Sequence, residues 1–256
     1  MRWLSLGLAF GLLGAGVAWA LENGWLTLQE PSQEAFPVQG LDVSHHQGVI
    51  DWPRVARDGR FRFVWIKATE GGDFVDPRFA INWREAGSAG FVVGAYHFFT
   101  LCRPGTEQAE NLLSVLPEVD GATLPVAVDL ELGGNCGARP SRTAFASELG
   151  AFLEAVERRT GRPSVLYTTF EFHEAYLTGA DLDARPWWVR SVFTRPGPLD
   201  GQPWHVWQYL PRGRVDGIEG VVDQNAFAGD AAAFATFVRP VSRPPGARPP
   251  GGSPAP

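Results

Sequence analysis

Between Gly40 and Thr168 the sequence keeps one rhythm: a short apolar run rich in β-branched and aromatic residues, a turn, then a stretch with helical spacing. The runs are Gly40–Ser44, Phe63–Thr69, Phe91–Phe99, Leu124–Glu131 and Ser164–Thr168. Near-continuous apolar runs of this length read as strands buried on both faces, the mark of a parallel sheet. Asp51 ahead of Trp52-Pro53 and Asp76-Pro77 read as two helix starts. Phe79, Trp83 and Ala86 follow the second at helical spacing up to Gly90; Ala109, Leu112, Leu113 and Leu116 share a face of Thr106–Leu116. Phe145, Leu149, Phe152 and Val156 stripe a long helix over Ser141–Thr160, stopped by Gly161. After Thr168 the rhythm breaks, and Trp187–Arg190, Trp204–Tyr209 and Gly220–Asn225 follow with little helix between them. The pattern predicts an α/β fold: an irregular TIM-like barrel of five strand–helix units followed by three strands with little helix.

The barrel is expected over residues 39–239, with no repeat and no second domain. Met1-Arg2 precedes a run from Trp3 to Leu21 without a charge, ending near the small-x-small triplet Ala18-Trp19-Ala20. Residues 1–21 therefore read as a signal peptide or as an uncleaved signal anchor, since the run is close to the roughly 20 residues that span a bilayer. Membrane anchoring through residues 3–21 stays open. Arg2 before the run and Glu22, Glu30 and Glu34 after it put the body outside the cytoplasm in either case, secreted, periplasmic or tethered. Residues 22–38 read as a linker and 240–256 as a Pro/Gly-rich disordered tail. A formal net charge of −6 without a basic block argues against a nucleic-acid partner. In an exported chain, Cys102 and Cys136 near the ends of adjacent strands suggest a disulfide, with two unpaired buried thiols as the alternative.

Enzymes on such a barrel place their chemistry at the carboxyl ends of the strands. Asp42 ends the first run, Lys67 and Glu70 the second, Tyr96 and His97 the third, Asp129 and Glu131 the fourth, Tyr167 the fifth, and Asp223 and Asn225 the last. On a strand Asp129 and Glu131 share a face, with Cα atoms about 6.5–7 Å apart. Two acids held side by side have their proton affinities pushed apart, which yields one acid and one base at one pH. Four carboxylates with aromatic rings on one rim suit a sugar polymer: acids for the glycosidic bond, flat rings for pyranose faces. Tyr96, Tyr167, Trp207 and Gln208 are candidate sugar contacts, with core or rim packing as the alternative for each. His45-His46 lacks a His-x-His pair, so neither a metal nor another cofactor is expected. One of these histidines, taken as His45, is expected to bind sugar or orient a carboxylate near Asp42.

A longer pattern runs through the first part of the chain. It reads Asp42-Val43, three residues, Gln47-Gly48, eleven residues, Arg60, four residues, then Trp65-Ile66-Lys67-Ala68-Thr69-Glu70-Gly71 and Phe74-Val75-Asp76. With Gly94–Phe98, Asp129-Leu130-Glu131 and Asp223-Gln224-Asn225 in the same order, the stretch from Gly40 to Phe227 resembles glycoside hydrolase family 25, the lysozymes of N-acetylmuramidase type. The resemblance implies a barrel of five strand–helix units plus three strands. It also implies a retaining hydrolase of the β-1,4 bond between N-acetylmuramic acid and N-acetylglucosamine, with peptidoglycan strands as partner. By match to the family's motifs, Glu131 is the proton donor, Asp129 its partner carboxylate, and Asp42 and Asp223 the other active-site acids.

The neighbouring negative charges are expected to raise the pKa of Glu131. Asp129 is expected to stabilise the substrate's 2-acetamido group as it attacks the anomeric carbon; an aspartyl nucleophile, with Asp223 the candidate, is the rival route. Two residues depart from the family pattern. Trp65 replaces an aliphatic residue, Phe or Tyr, and Arg190 stands where a small residue is expected. Arg190 shares a face with Trp188, so it is expected to bind a carboxylate of the muramyl lactyl group or peptide, to pair with an active-site acid, or to lie on the surface. A glycan-binding pseudoenzyme and a hydrolase of another acetamido-sugar polymer such as chitin are the alternatives to a muramidase. Oligomeric state is not legible.

Overall fold

A computed structural model describes residues 30–118, 123–180, 182 and 185–239. The expected signal or anchor segment, residues 22–29 of the linker and the Pro/Gly-rich tail lie outside these residues. Eight strands close on themselves: β1 (Gln39–Val43), β2 (Phe61–Glu70), β4 (Val92–Phe98), β5 (Ala127–Leu130), β6 (Val165–Thr169), β7 (Trp187–Arg190), β8 (Val206–Gly213) and β9 (Val222–Phe227). Their order is β1-β9-β8-β7-β6-β5-β4-β2, and β2 pairs back to β1. Neighbours are parallel except around β9, which runs antiparallel to both β1 and β8. The remaining strand, β3 (Phe74–Val75), folds back on the end of β2 as a small hairpin. It was not expected, because two residues carry no readable period.

The core has two layers. Inside the barrel Trp65 and Trp188 stack with ring centroids 4.6 Å apart, and Trp65 Nε1 donates to the Pro125 carbonyl at 3.0 Å. Rings of this size need room on the facing strands. A Cβ on Gly40 would lie 2.3 Å from the Phe63 ring, and one on Gly94 would lie 2.8 Å from Trp65. Glycine at these positions lets the barrel close around aromatic filling. Outside, the expected stripe Phe145, Leu149, Phe152 and Val156 of helix Arg142–Thr160 is buried in the larger core cluster. Burial of each such side chain contributes about 1.5–3 kcal/mol. Ser141 Oγ caps this helix by accepting from the Ala144 amide at 3.2 Å.

Two readings change at the helices. Asp51 caps helix Trp52–Ala56 as expected, accepting from the Arg54 amide. Asp76 does not cap the next helix, Phe79–Ser88, whose N-cap position is Arg78. The Asp76 carboxylate instead accepts from the Arg78 amide at 2.8 Å and from the His45 amide at 2.8 Å, tying the loops after β1 and β2 together. A final helix, Ala231–Val238, also went unread. Asp230 caps it, and its Phe234 stacks on Phe63 at 5.4 Å to close the amino end of the barrel.

Candidate active site

The carboxyl ends of the parallel strands surround a cleft of about 610 Å³, which Asp223 reaches from the amino end of antiparallel β9 rather than from the expected carboxyl end of a strand. On one side of it Asp42 of β1 pairs in register with Asp223 of β9. Asp42 Oδ2 accepts from Asn225 Nδ2 at 2.8 Å and Gln208 Nε2 at 3.0 Å. Those donors are themselves fixed: Tyr167 donates its hydroxyl to Gln208 Oε1 at 3.0 Å, and Trp188 Nε1 donates to Asn225 Oδ1 at 2.8 Å. Burial raises the Asp42 pKa, and the three hydrogen bonds from Asn225, Gln208 and Asp223 pull it back. Asp223 is pushed well above the carboxylate range by burial, then by the charge of Asp42 and the hydrogen bond between them. Of the two, Asp223 is pushed further upward, which makes it the natural donor in the hydrogen bond they share.

The second pair lies on β5. Asp129 is in register with Tyr167, and its Oδ1 is buried without a hydrogen-bond partner. Burial and then the charge of Glu131 raise its pKa well above the ordinary value. Glu131 sits one residue past the end of β5, with its side chain 19% exposed. Its Oε2 lies 3.6 Å from Arg190 Nη1. Burial raises the Glu131 pKa, Arg190 lowers it, and Asp42 raises it further. Burial, rather than the expected neighbouring charge alone, is thus the leading cause. Both acids thus disfavour the ionised form, and the charge of Glu131 adds to the proton affinity of Asp129.

The loop after β5 is anchored by Asn135. Its Nδ2 donates to the Glu131 carbonyl at 3.0 Å and the Phe99 carbonyl at 2.9 Å, while its Oδ1 accepts from the Leu101 amide at 2.9 Å. Beside it Cys102 and Cys136 form the expected disulfide, with Cα atoms 6.4 Å apart. On the far wall Lys67 pairs with Glu70 and lies over the Phe98 ring, 5.0 Å from its centroid.

Of the side chains singled out from sequence, Asp42, Lys67, Glu70, Tyr96, Asp129, Glu131, Tyr167, Arg190, Gln208 and Asp223 line the cleft. Trp207 does not. It falls in the outward row Leu130, Thr168, Val189, Trp207, Ala226, where its Nε1 donates to the Ser191 carbonyl at 2.7 Å within the outer core. Asn225 is fully buried beneath the acids, so it positions Asp42 and is no sugar contact. His45 is turned to Asp76, its Nδ1 2.9 Å from Oδ2, and His46 takes the place in the cleft. His97 faces outward and is buried between Thr69 and Gln108.

Sequence reading missed His46, Gln47 and Phe98 as cleft residues. The first two stand on a 3₁₀ turn, His45–Gln47, closed by a capping box in which Ser44 donates its amide to Gln47 Oε1 at 2.9 Å. Ser44-x-x-Gln47 is a legible capping signature, and it would have replaced the strand parity assumed there. Phe98 shares a strand face with Tyr96 and was readable by parity. Among the described residues no group of three or more His, Cys, Asp or Glu side chains is placed to hold a metal ion.

The family model for glycosyl hydrolases family 25 matches residues 41–218, which include Asp42, Asp129 and Glu131. Lysozyme M1 of Streptomyces globisporus is 39% identical over 209 residues, covering 76% of this chain and 69% of that protein. A family 25 glycosyl hydrolase from Bacillus anthracis is similar in structure with a TM-score of 0.75 and 34% identity, over 81% of this chain and 96% of its own. A bacterial lysozyme from Streptomyces coelicolor gives a TM-score of 0.72 and 36% identity, over 78% and 96%. A closed barrel with an acid-lined rim, matched along most of its length by these proteins, is a glycoside hydrolase, and the chain belongs to glycosyl hydrolases family 25.

Proposed function

We propose that this hydrolase is a retaining N-acetylmuramidase that cuts the β-1,4 bond between N-acetylmuramic acid and N-acetylglucosamine in peptidoglycan. The observation that carries the reading is Asp129 Oδ1, a buried acceptor without a partner beside a protonatable Glu131. An unpaired buried acceptor costs about 1–3 kcal/mol, which an amide N–H from the substrate would recover. The 2-acetamido group of the sugar supplies that N–H. Held so, its carbonyl oxygen attacks the anomeric carbon while Glu131 gives its proton to the leaving oxygen. Water then opens the cyclic intermediate, returning its proton to Glu131, and the anomeric configuration is retained.

Asp223 suits the rival nucleophilic role poorly, because burial and the charge of Asp42 favour its neutral form. Tyr96, Tyr167, Lys67, Glu70 and Gln208 line the cleft and would contact the glycan. The lysozyme names of the relatives support a cell-wall substrate. Such a polymer lies outside the cytoplasm, in keeping with export through residues 1–21.

Mass spectrometry of products from purified peptidoglycan tests this reading. New reducing N-acetylmuramic acid ends are expected. Chitin fragments alone would favour a hydrolase of other acetamido-sugar polymers, and retention on the wall without cleavage would favour a binding protein.

A further inference from the structure

Five acids line this cleft: Asp42, Glu70, Asp129, Glu131 and Asp223. Lys67, Arg190 and Arg212 also line it; Lys67 is only 7% exposed and already engaged with Glu70, and Arg212 has an interaction partner of its own. Arg190 stands differently. It closes β7 in register with Thr169 and Gln208, its side chain is 40% exposed, and it lines the cleft. Its nearest acid is Glu131 at 3.6 Å, beyond hydrogen-bond reach, and among the described residues its guanidinium makes no hydrogen bond. Five N–H donors in a planar fork are therefore available on the rim, in the geometry that matches a carboxylate. Where it stands the same group works against catalysis, since a cation beside Glu131 favours the ionised form and the reaction needs the acid. A neutral glycan would leave that conflict standing. A substrate with its own carboxylate would resolve it.

Resting on the muramidase reading above, we propose that Arg190 is a specificity-determining residue. It takes a carboxylate carried by the glycan, either the free lactyl carboxylate of muramic acid or one on an attached peptide, and leaves Glu131 when it does so. The charges that act on Glu131 or Asp129 are Asp42 from β1, Lys67 and Glu70 from β2, Arg190 from β7, and each other; Asp223 from β9 feels Glu131 in turn. With Arg190 drawn to the substrate, Asp42 and Asp129 favour a proton on Glu131. The acetamido N–H at Asp129 Oδ1 favours the ionised form of Asp129. A proton is then favoured on Glu131, where the leaving oxygen needs it, and no bond between heavy atoms changes.

Three glycan oligomers of equal length test the proposal: one bearing peptide stems, one stripped by an amidase to the free lactyl carboxylate, and the methyl ester of the stripped form. Wild-type kcat/KM is expected to favour a carboxylate-bearing oligomer over the ester by about tenfold or more, the scale of a charge-assisted bidentate pair. Arg190→Ala should bring that ratio near one, and Arg190→Lys should restore part of it. A ratio high for the stripped oligomer assigns the lactyl group, and one high for the peptide-bearing oligomer assigns the stem. A folded Arg190→Ala that keeps the wild-type ratio overturns the proposal while leaving the muramidase reading intact. If wild type releases no reducing muramic acid ends from any of the three, the muramidase reading fails and this proposal with it.

Discussion

Asp42 and Asp223 face each other on β1 and β9, with Asn225 and Gln208 filling the lone pairs of Asp42 and Asp223 bonded to it. Across the same cleft Asp129 keeps one oxygen without a partner, and Glu131 has only a loose ion pair with Arg190. Both pairs are at least half-buried and both are pushed upward in pKa, so burial alone does not separate them. The difference lies in satisfied against unsatisfied hydrogen-bonding capacity. A caged carboxylate is a fixed charge, oriented by neighbours it cannot cheaply exchange. An open one keeps its valence for the substrate, at a cost to the folded state. On this account the β1/β9 pair sets the field and the β5 pair performs the proton and acetamido chemistry.

The sharpest way to break that division is Glu131→Gln, which keeps the shape and removes the transferable proton. It should lower kcat on peptidoglycan by about 10²–10⁴-fold with the fold unchanged by circular dichroism. A smaller loss than that of Asp42→Asn would reverse the roles of the two pairs. Asp129→Asn should cost about 10²–10³-fold in kcat, since the acetamido N–H loses its charged acceptor. Opening the cage with Asn225→Ala should cost less, about 10–100-fold, through a displaced Asp42 and a freed Trp188 Nε1. Steady-state kinetics on solubilised glycan rank the three, and Asn225→Ala as the most damaging would contradict the account.

The open pair should also show itself in stability. Glu131 is harder to ionise in the folded chain than in the unfolded one, so the unfolded state binds fewer protons once pH passes its ordinary value of 4.5. Stability contributed by the protonated group is complete below that value and is lost as pH rises through the raised folded value. Glu131→Gln escapes the loss. Its melting temperature should exceed that of wild type at neutral pH, and the gap should vanish below pH 4.5 in thermal scans. A gap that grows on acidification would mean that Glu131 is held ionised in the folded state.

Much of the barrel was legible because its signals are local and periodic. The apolar runs, the stripe from Phe145 to Val156 and the strand-end positions of Asp42, Asp129 and Glu131 follow from spacing, whereas Asp223 reaches the rim only because β9 runs antiparallel. What escaped depends on partners distant in sequence. Asn225 lies on the correct face, yet it serves Asp42, 183 residues away, and no local pattern encodes that bond. Trp207 and Gln208 were both taken as sugar contacts although strand neighbours face opposite ways, and only the register with β7 shows which faces in. His45 orients a carboxylate, that of Asp76, while His46 lines the cleft; the segment is a 3₁₀ turn, where strand parity does not apply.

The division of labour is tested most directly by leaving-group dependence. On a muramic acid-containing oligomer with a nitrophenolate leaving group, departure needs no proton, so the donor becomes dispensable while acetamido participation does not. The account predicts that Glu131→Gln recovers most of its lost kcat on this aryl glycoside and that Asp129→Asn stays impaired. Equal impairment of both variants, or recovery by Asp129→Asn alone, would contradict it.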